Sequence, residues 1–308
     1  MEQKSSKMGH LACFSAYAIF GLNIIVCKDL TSTHWISPLS VTCLRSLVAG
    51  SLYWMISFMT HGERVEKKDL FKIFIASMLG FLMPQVMFMM AIENITPMDC
   101  SIVSSTSPVV TMIIAAFAVK EPVTLRKAGG VALSLGGILF LILNSVGMGS
   151  SANRSTNVYG LLLMISNIIC FSTYLGAFKP LIAKYSPITF MKWVFLFSTI
   201  MALPVSVVEI TSISYLSLPA NILWELAFLI ICCTFMTYYL IPFGQQRIRP
   251  TLVSMYSYVQ PIIAIAISIW VGMDTLTWQK VLAAVTVFTG VVIVSYSRGA
   301  KDDAAEKK

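Results

Sequence analysis

Apolar residues in this chain come in runs of roughly twenty, broken by short polar turns, and the runs lack the every-other-residue alternation of a strand. The first run is Leu11–Cys27, closed by Lys28 and Asp29. Others follow at about Ile36–Thr60, which contains Arg45, at Leu70–Ile92, which Pro84 interrupts, at Met98–Val119 and at Thr124–Val146. Beyond the small, polar segment Gly147–Asn157, five more cover about Val158–Leu181, Pro187–Val208, Ile222–Phe243, Thr251–Val271 and Leu276–Ser297. At 1.5 Å per residue each run matches a hydrocarbon layer about 30 Å thick. Lipid cannot satisfy an open backbone, so the pattern predicts an all-α integral membrane protein of ten transmembrane helices.

The pattern also repeats. Shifted by 153 residues, Pro97–Phe140 falls on Pro250–Ile293 without a gap. Pro97 meets Pro250, Ser101 meets Ser254, Pro108 meets Pro261, Glu121 meets Asp274, Lys127 meets Lys280 and Gly137 meets Gly290. Apolarity alone does not place prolines and acids in register, so the chain reads as two copies. Residues 1–146 form the first, 147–157 an external linker and 158–297 the second, and 298–308 form a charged tail expected to fray. The first run has the length of a signal peptide, but its counterpart in the second copy argues against removal.

Composition sharpens this reading. Hydrophobic residues make up 57% of the chain and charged residues 12%, whereas a soluble domain carries about 25% charged residues. The net charge of +8 is read as membrane orientation rather than as nucleic-acid binding. Apart from Arg45, every basic residue except Lys28, Arg154 and Lys280 falls on the side shared by the two termini. That asymmetry assigns both termini to the cytoplasm. Five spans per copy make the second copy enter the membrane upside down, and matched turns should exchange their charges. Lys120 and Arg126 become Met273 and Gln279, and Asn94 and Thr96 become Arg247 and Arg249; the pair Lys127 and Lys280 does not switch. Inverted repeats of this kind build many secondary transporters, with the site between the halves near the midplane.

Ten spans in two inverted halves, FGLNIIVCK at Phe20–Lys28, Arg45 in the second span, and the two copies Ile95–Phe140 and Ile248–Val294 resemble the EamA type of the drug/metabolite transporter superfamily. The second copy departs from the pattern, with Asp274-Thr275 where the first has Glu121-Pro122. The resemblance implies a multi-pass carrier of the cell (inner) membrane that moves small organic metabolites, often outward. It also implies that spans 1, 3, 4 and their inverted partners surround a central cavity.

The remaining chemistry is sparse. The chain lacks a GxxxxGK phosphate loop, HExxH and GxSxG, so neither ATP-driven transport by this chain alone nor hydrolysis is expected. The seven cysteines are odd in number and lack metal spacing, and no histidine neighbours another ligand; no metal or cofactor is expected. Polar residues inside spans are what remain, each costly unless paired or wetted. Arg45 reads either as an anion contact or as a structural tie to a neighbouring helix. Asn23, Gln85, Ser104, Ser105 and Tyr174 come from spans 1, 3, 4 and 6, and Tyr238, Tyr256, Ser257 and Gln260 from spans 8 and 9. For the serines, close helix packing with hydroxyls on their own backbone is the alternative. Tyr256 and Gln260 are four apart on one helix face and replace Val103 and Ser107 of the first copy, which fits an asymmetric substrate. Glycines in spans 5 and 10 fit close packing, as a scaffold or as a homodimer contact.

Three functions stay open: export of a polar metabolite such as an amino acid, phosphate-ester or nucleotide-sugar antiport, and a non-transporting scaffold or receptor. The second calls for several cations in the cavity and the third for large soluble loops; the longest loop is Gly147–Asn157.

Overall fold

The computed structural model describes residues 2–59, 63–107, 109–110, 113–114, 125–147, 156–245, 247, 256 and 258–305. Helices follow one another along the chain: α1 (Glu2–Ser32), α2 (Pro38–Met59), α3 (Lys67–Asn94), α4 (Pro97–Ser104), α5 (Leu125–Gly147) and α6 (Val158–Ala177). They continue with α7 (Pro187–Ser212), α8 (Ala220–Gly244), α9 (Val259–Trp270) and α10 (Trp278–Ala305). Five of them, Lys7–Ser32, Pro38–Met59, Lys67–Asn94, Pro187–Ser212 and Ala220–Gly244, are long and apolar enough to cross a membrane. Shorter apolar helices cover Ala128–Asn144, Val158–Tyr174, Val259–Trp270 and Trp278–Ile293. Large apolar side chains such as Phe58, Met59, Val205, Trp224 and Trp270 face outward, as a surface solvated by lipid requires.

Sequence signals account for the helix boundaries. Thr96, Asn157 and Ser186 cap α4, α6 and α7 by accepting hydrogen bonds from the backbone amides of Asp99, Gly160 and Thr189. Pro97 and Pro187 open their helices at the first turn, where a missing N–H costs nothing. The expected interruption at Pro84 takes another form. The helix widens into a π-turn at Met78–Leu82 and resumes at Met83, so the proline sits where the ladder is already loosened. α8 carries the same device at Ile231–Met236, and Met78 and Ile231 are 153 residues apart. The sixth run ends at Ala177, earlier than expected, and a short helix, Lys179–Lys184, restarts around Pro180. The tail expected to fray instead extends α10 to Ala305. Much of the fourth run, and residues 148–155 of the linker, lie outside the described residues.

Packing follows the duplication. α5 lies on α10, α2 on α7, α3 on α6, and α1 on both α8 and α9. At the α5–α10 contact a side chain at Gly290 would collide with the Gly130 carbonyl and with Ser134 at 2.4–2.6 Å, so only glycine permits this approach. Where α2 meets α7, Thr199 Oγ1 lies 3.0 Å from Ser46 Oγ; where α5 meets α10, the Ser134 hydroxyl donates to the Val287 carbonyl at 3.3 Å. Each pair is separated by the repeat shift of 153 residues. Residues that match in sequence therefore touch in space, as expected beside a pseudo-twofold axis.

Candidate functional site

Beside this axis the helices enclose a polar layer. Arg45, in the second turn of α2, is fully buried at 0% exposure. Its Nε donates to Thr234 Oγ1 at 2.8 Å, and its Nη2 reaches Asn23 Oδ1 on α1 at 3.5 Å. Thr234 belongs to the π-turn of α8, whose geometry lets its hydroxyl donate in turn to the Leu229 carbonyl five residues back. Asn23 is buried too and accepts from Cys27 Sγ. Arg45 Nη1 is buried without a hydrogen-bond partner, and among the described residues no carboxylate pairs with the guanidinium. A second polar contact spans the repeats: Gln85 Nε2 on α3 donates to the Tyr238 hydroxyl on α8 at 3.4 Å, while Gln85 Oε1 is buried and unpartnered. Gln85 and Tyr238 are also 153 residues apart. Rings of Phe20, Phe81 and Phe195 surround Tyr238 at 5.6–6.4 Å, which makes the floor of this layer aromatic.

The other expected residues divide. Tyr174 packs over Gly80, in the π-turn of α3, and against Phe171 and Phe178. Ser104 and Ser105 donate to the carbonyls of Cys100 and Ser101 on their own helix, which is the close-packing alternative. The Tyr256 hydroxyl lies 2.9 Å from His10 Nδ1 near the start of α1, apart from Arg45 and beside buried Cys13. The Gln260 carbonyl would lie 2.8 Å from a side chain at Gly21, so α9 approaches α1 closely there. Ser257 lies outside the described residues.

Among the described residues, ties between the two copies stand at both ends. At one, Lys280 Nζ binds Asp274 Oδ1 at 2.6 Å and lies 3.4 Å from Asp99 Oδ2, with both carboxylates 3% exposed. Thr96 Oγ1 accepts from the same ammonium, Asp274 accepts from the Met98 amide, and Thr156 donates to Asp99. Nearby, Glu209 accepts from the Ser37 and Ser40 hydroxyls, fastening the end of α7 to the start of α2. A cavity of about 260 Å³ opens between this pair and His34 and Glu93. At the other end Asp69 accepts from Lys184 at 2.6 Å and from the Tyr185 hydroxyl at 2.7 Å. These contacts push the Lys184 ammonium up.

The sequence singles out neither Thr234 nor Asp99, and marks Lys280 only as a charge that does not switch across the repeat. Thr234 did carry a signal: a hydroxyl in span 8 where the first copy has Phe81.

The chain is 24% identical over 267 residues to an "Uncharacterized transporter" of Archaeoglobus fulgidus, covering 87% of this chain and 92% of the relative. It is 22% identical over 310 residues to the "Uncharacterized transporter YetK" of Bacillus subtilis, covering 99% and 92%. It is 23% identical over 299 residues to the "Uncharacterized inner membrane transporter YicL" of Salmonella typhimurium, covering 94% and 96%. One solved crystal structure shares the fold with a TM-score of 0.64 at 15% identity, over 92% of this chain and 95% of that one. A model of the EamA-like transporter family matches residues 7–143 and again 158–296, one match to each copy of the repeat. The chain belongs to the EamA-like transporter family and is a membrane transporter rather than an enzyme.

Proposed function

We propose that this protein is a secondary carrier that exports a small polar organic metabolite, of the amino-acid kind, across the cell (inner) membrane. Ten spans in two inverted halves, both termini in the cytoplasm, rock about the pseudo-twofold axis and expose the central layer to each side in turn. One observation carries this reading: buried polar groups from both copies converge beside the axis, with Arg45 and Gln85 each presenting an unpartnered atom. Buried polar groups cost free energy unless something satisfies them, and a polar substrate is the natural partner. Phosphate-ester exchange calls for several cations at this level, and the described residues place Arg45 there.

The test uses the full chain in proteoliposomes, preloaded with labelled pools of metabolites, with counterflow as the readout. Flux of at least one pool is expected, together with a loss of about 10-fold in Tyr238→Phe, the factor for one hydrogen bond to the substrate. Absence of flux for every pool from folded protein would sink the carrier reading.

A further inference from the structure

The unpartnered edge of Arg45 has a definite chemistry, and it bears on which class of solute the carrier takes. A guanidinium offers five N–H donors in a planar fork. Thr234 occupies Nε, Asn23 faces Nη2 and the Cys27 thiol lies beside the guanidinium, while Nη1 has no hydrogen-bond partner. Nη1 belongs to the end of the fork that grips a carboxylate with two parallel bonds. Charge balance points the same way. Thr234, Asn23 and the Cys27 thiol beside Arg45 are neutral, and the guanidinium is always ionised. Asp29 of α1 and Glu225 of α8 neighbour each other, and among the described residues neither forms an ion pair with Arg45. Asp29 stands six residues along α1 from Asn23, about 9 Å at the helical rise. Asp99 and Asp274 are already held by Lys280. An isolated cation buried among helices is tolerated where an anion visits it.

The second copy shows how the site became one-sided. The position matching Arg45 is Ser198, which is buried with an unpartnered hydroxyl. One copy thus supplies a cation to this layer and the other a neutral hydroxyl.

Resting on the carrier reading above, we infer that the transported solute bears a carboxylate, gripped by the Nη1/Nη2 end of Arg45. An amino group or neutral body on the same solute would face the Gln85 and Tyr238 oxygens. The inference is tested on the full chain in proteoliposomes and in detergent. The probes are L-alanine, L-phenylalanine and succinate, set against L-alaninamide, L-phenylalaninamide and succinamide, which replace each carboxylate with an amide. Acids should exchange at least about 10-fold faster than their amides and should raise the melting temperature at millimolar concentration. Arg45→Gln should erase the preference for acids. Arg45→Lys, which keeps the charge but loses the fork, should retain a reduced preference and guards against a Gln variant that fails to fold. Equal flux of acids and amides in the parent, or a preference that survives Arg45→Gln, overturns the carboxylate inference and leaves the carrier standing. Absence of flux for all six probes and for the wider metabolite pools overturns both.

Discussion

At the scale of single residues, a buried charge leans on whatever hydroxyls its neighbours offer, and Arg45 is only partly answered. Thr234 shows this most clearly, since one hydroxyl accepts from Arg45 and donates to Leu229. Thr234→Val keeps the shape and strands the guanidinium, so it should cost about 1–3 kcal/mol of stability, measured by thermal unfolding in detergent. Asp69 ties the opposite end through Lys184 and Tyr185, so Asp69→Asn should lower the melting temperature in detergent. Arg45 and Asn23 were legible in the sequence because a charge or an amide inside an apolar run must be answered. Thr234 was not, because a hydroxyl can satisfy itself on its own helix and gives no outward sign of a partner.

At the scale of elements, each pair of helices is fixed by what its sequence leaves small or unpaired. The start of α4 and the turn before α10 share one ammonium between two buried carboxylates. Lys280→Ala leaves those carboxylates facing each other, and breaking such a buried pair typically costs 3–5 kcal/mol. Cys100, fully buried beside Asp99, should then react with a thiol reagent that spares it in the parent; equal labelling rates would count against a fastening role. This tie was half visible in the sequence. Lys280 stood out as the basic residue that kept its charge across the repeat, yet Asp99, 181 positions away, gave no sign of being its partner. Helix limits were legible wherever a cap or proline marked them. The π-turns were not, because they insert one residue's worth of slack without changing the apolar pattern.

At the scale of the whole molecule, the duplication did most to make the fold readable. A shift of 153 residues found by matching prolines is the spacing at which Ser46 meets Thr199, Ser134 meets Val287 and Gln85 meets Tyr238. The proposed inversion of the two halves makes a global prediction: reagents that cannot cross the membrane should reach cysteines placed at Lys4 and at Lys307 from the same face. Labelling from opposite faces would contradict the proposed ten-span topology. What sequence could not give was the division of the polar residues into a central layer and ties at two ends. That division depends on which helix faces which neighbour, and packing alone sets it.

Contact between repeat mates also has a genetic consequence. In an ancestor assembled from two identical half-length chains, a residue on the axis would meet its own twin, so every substitution there would be made twice. Two halves that differ escape that constraint, and Gln85 opposite Tyr238 is a combination that two identical halves could not hold. Two copies of the first half expressed without the second should therefore set glutamine against glutamine and arginine beside arginine, and fail to form a stable bundle.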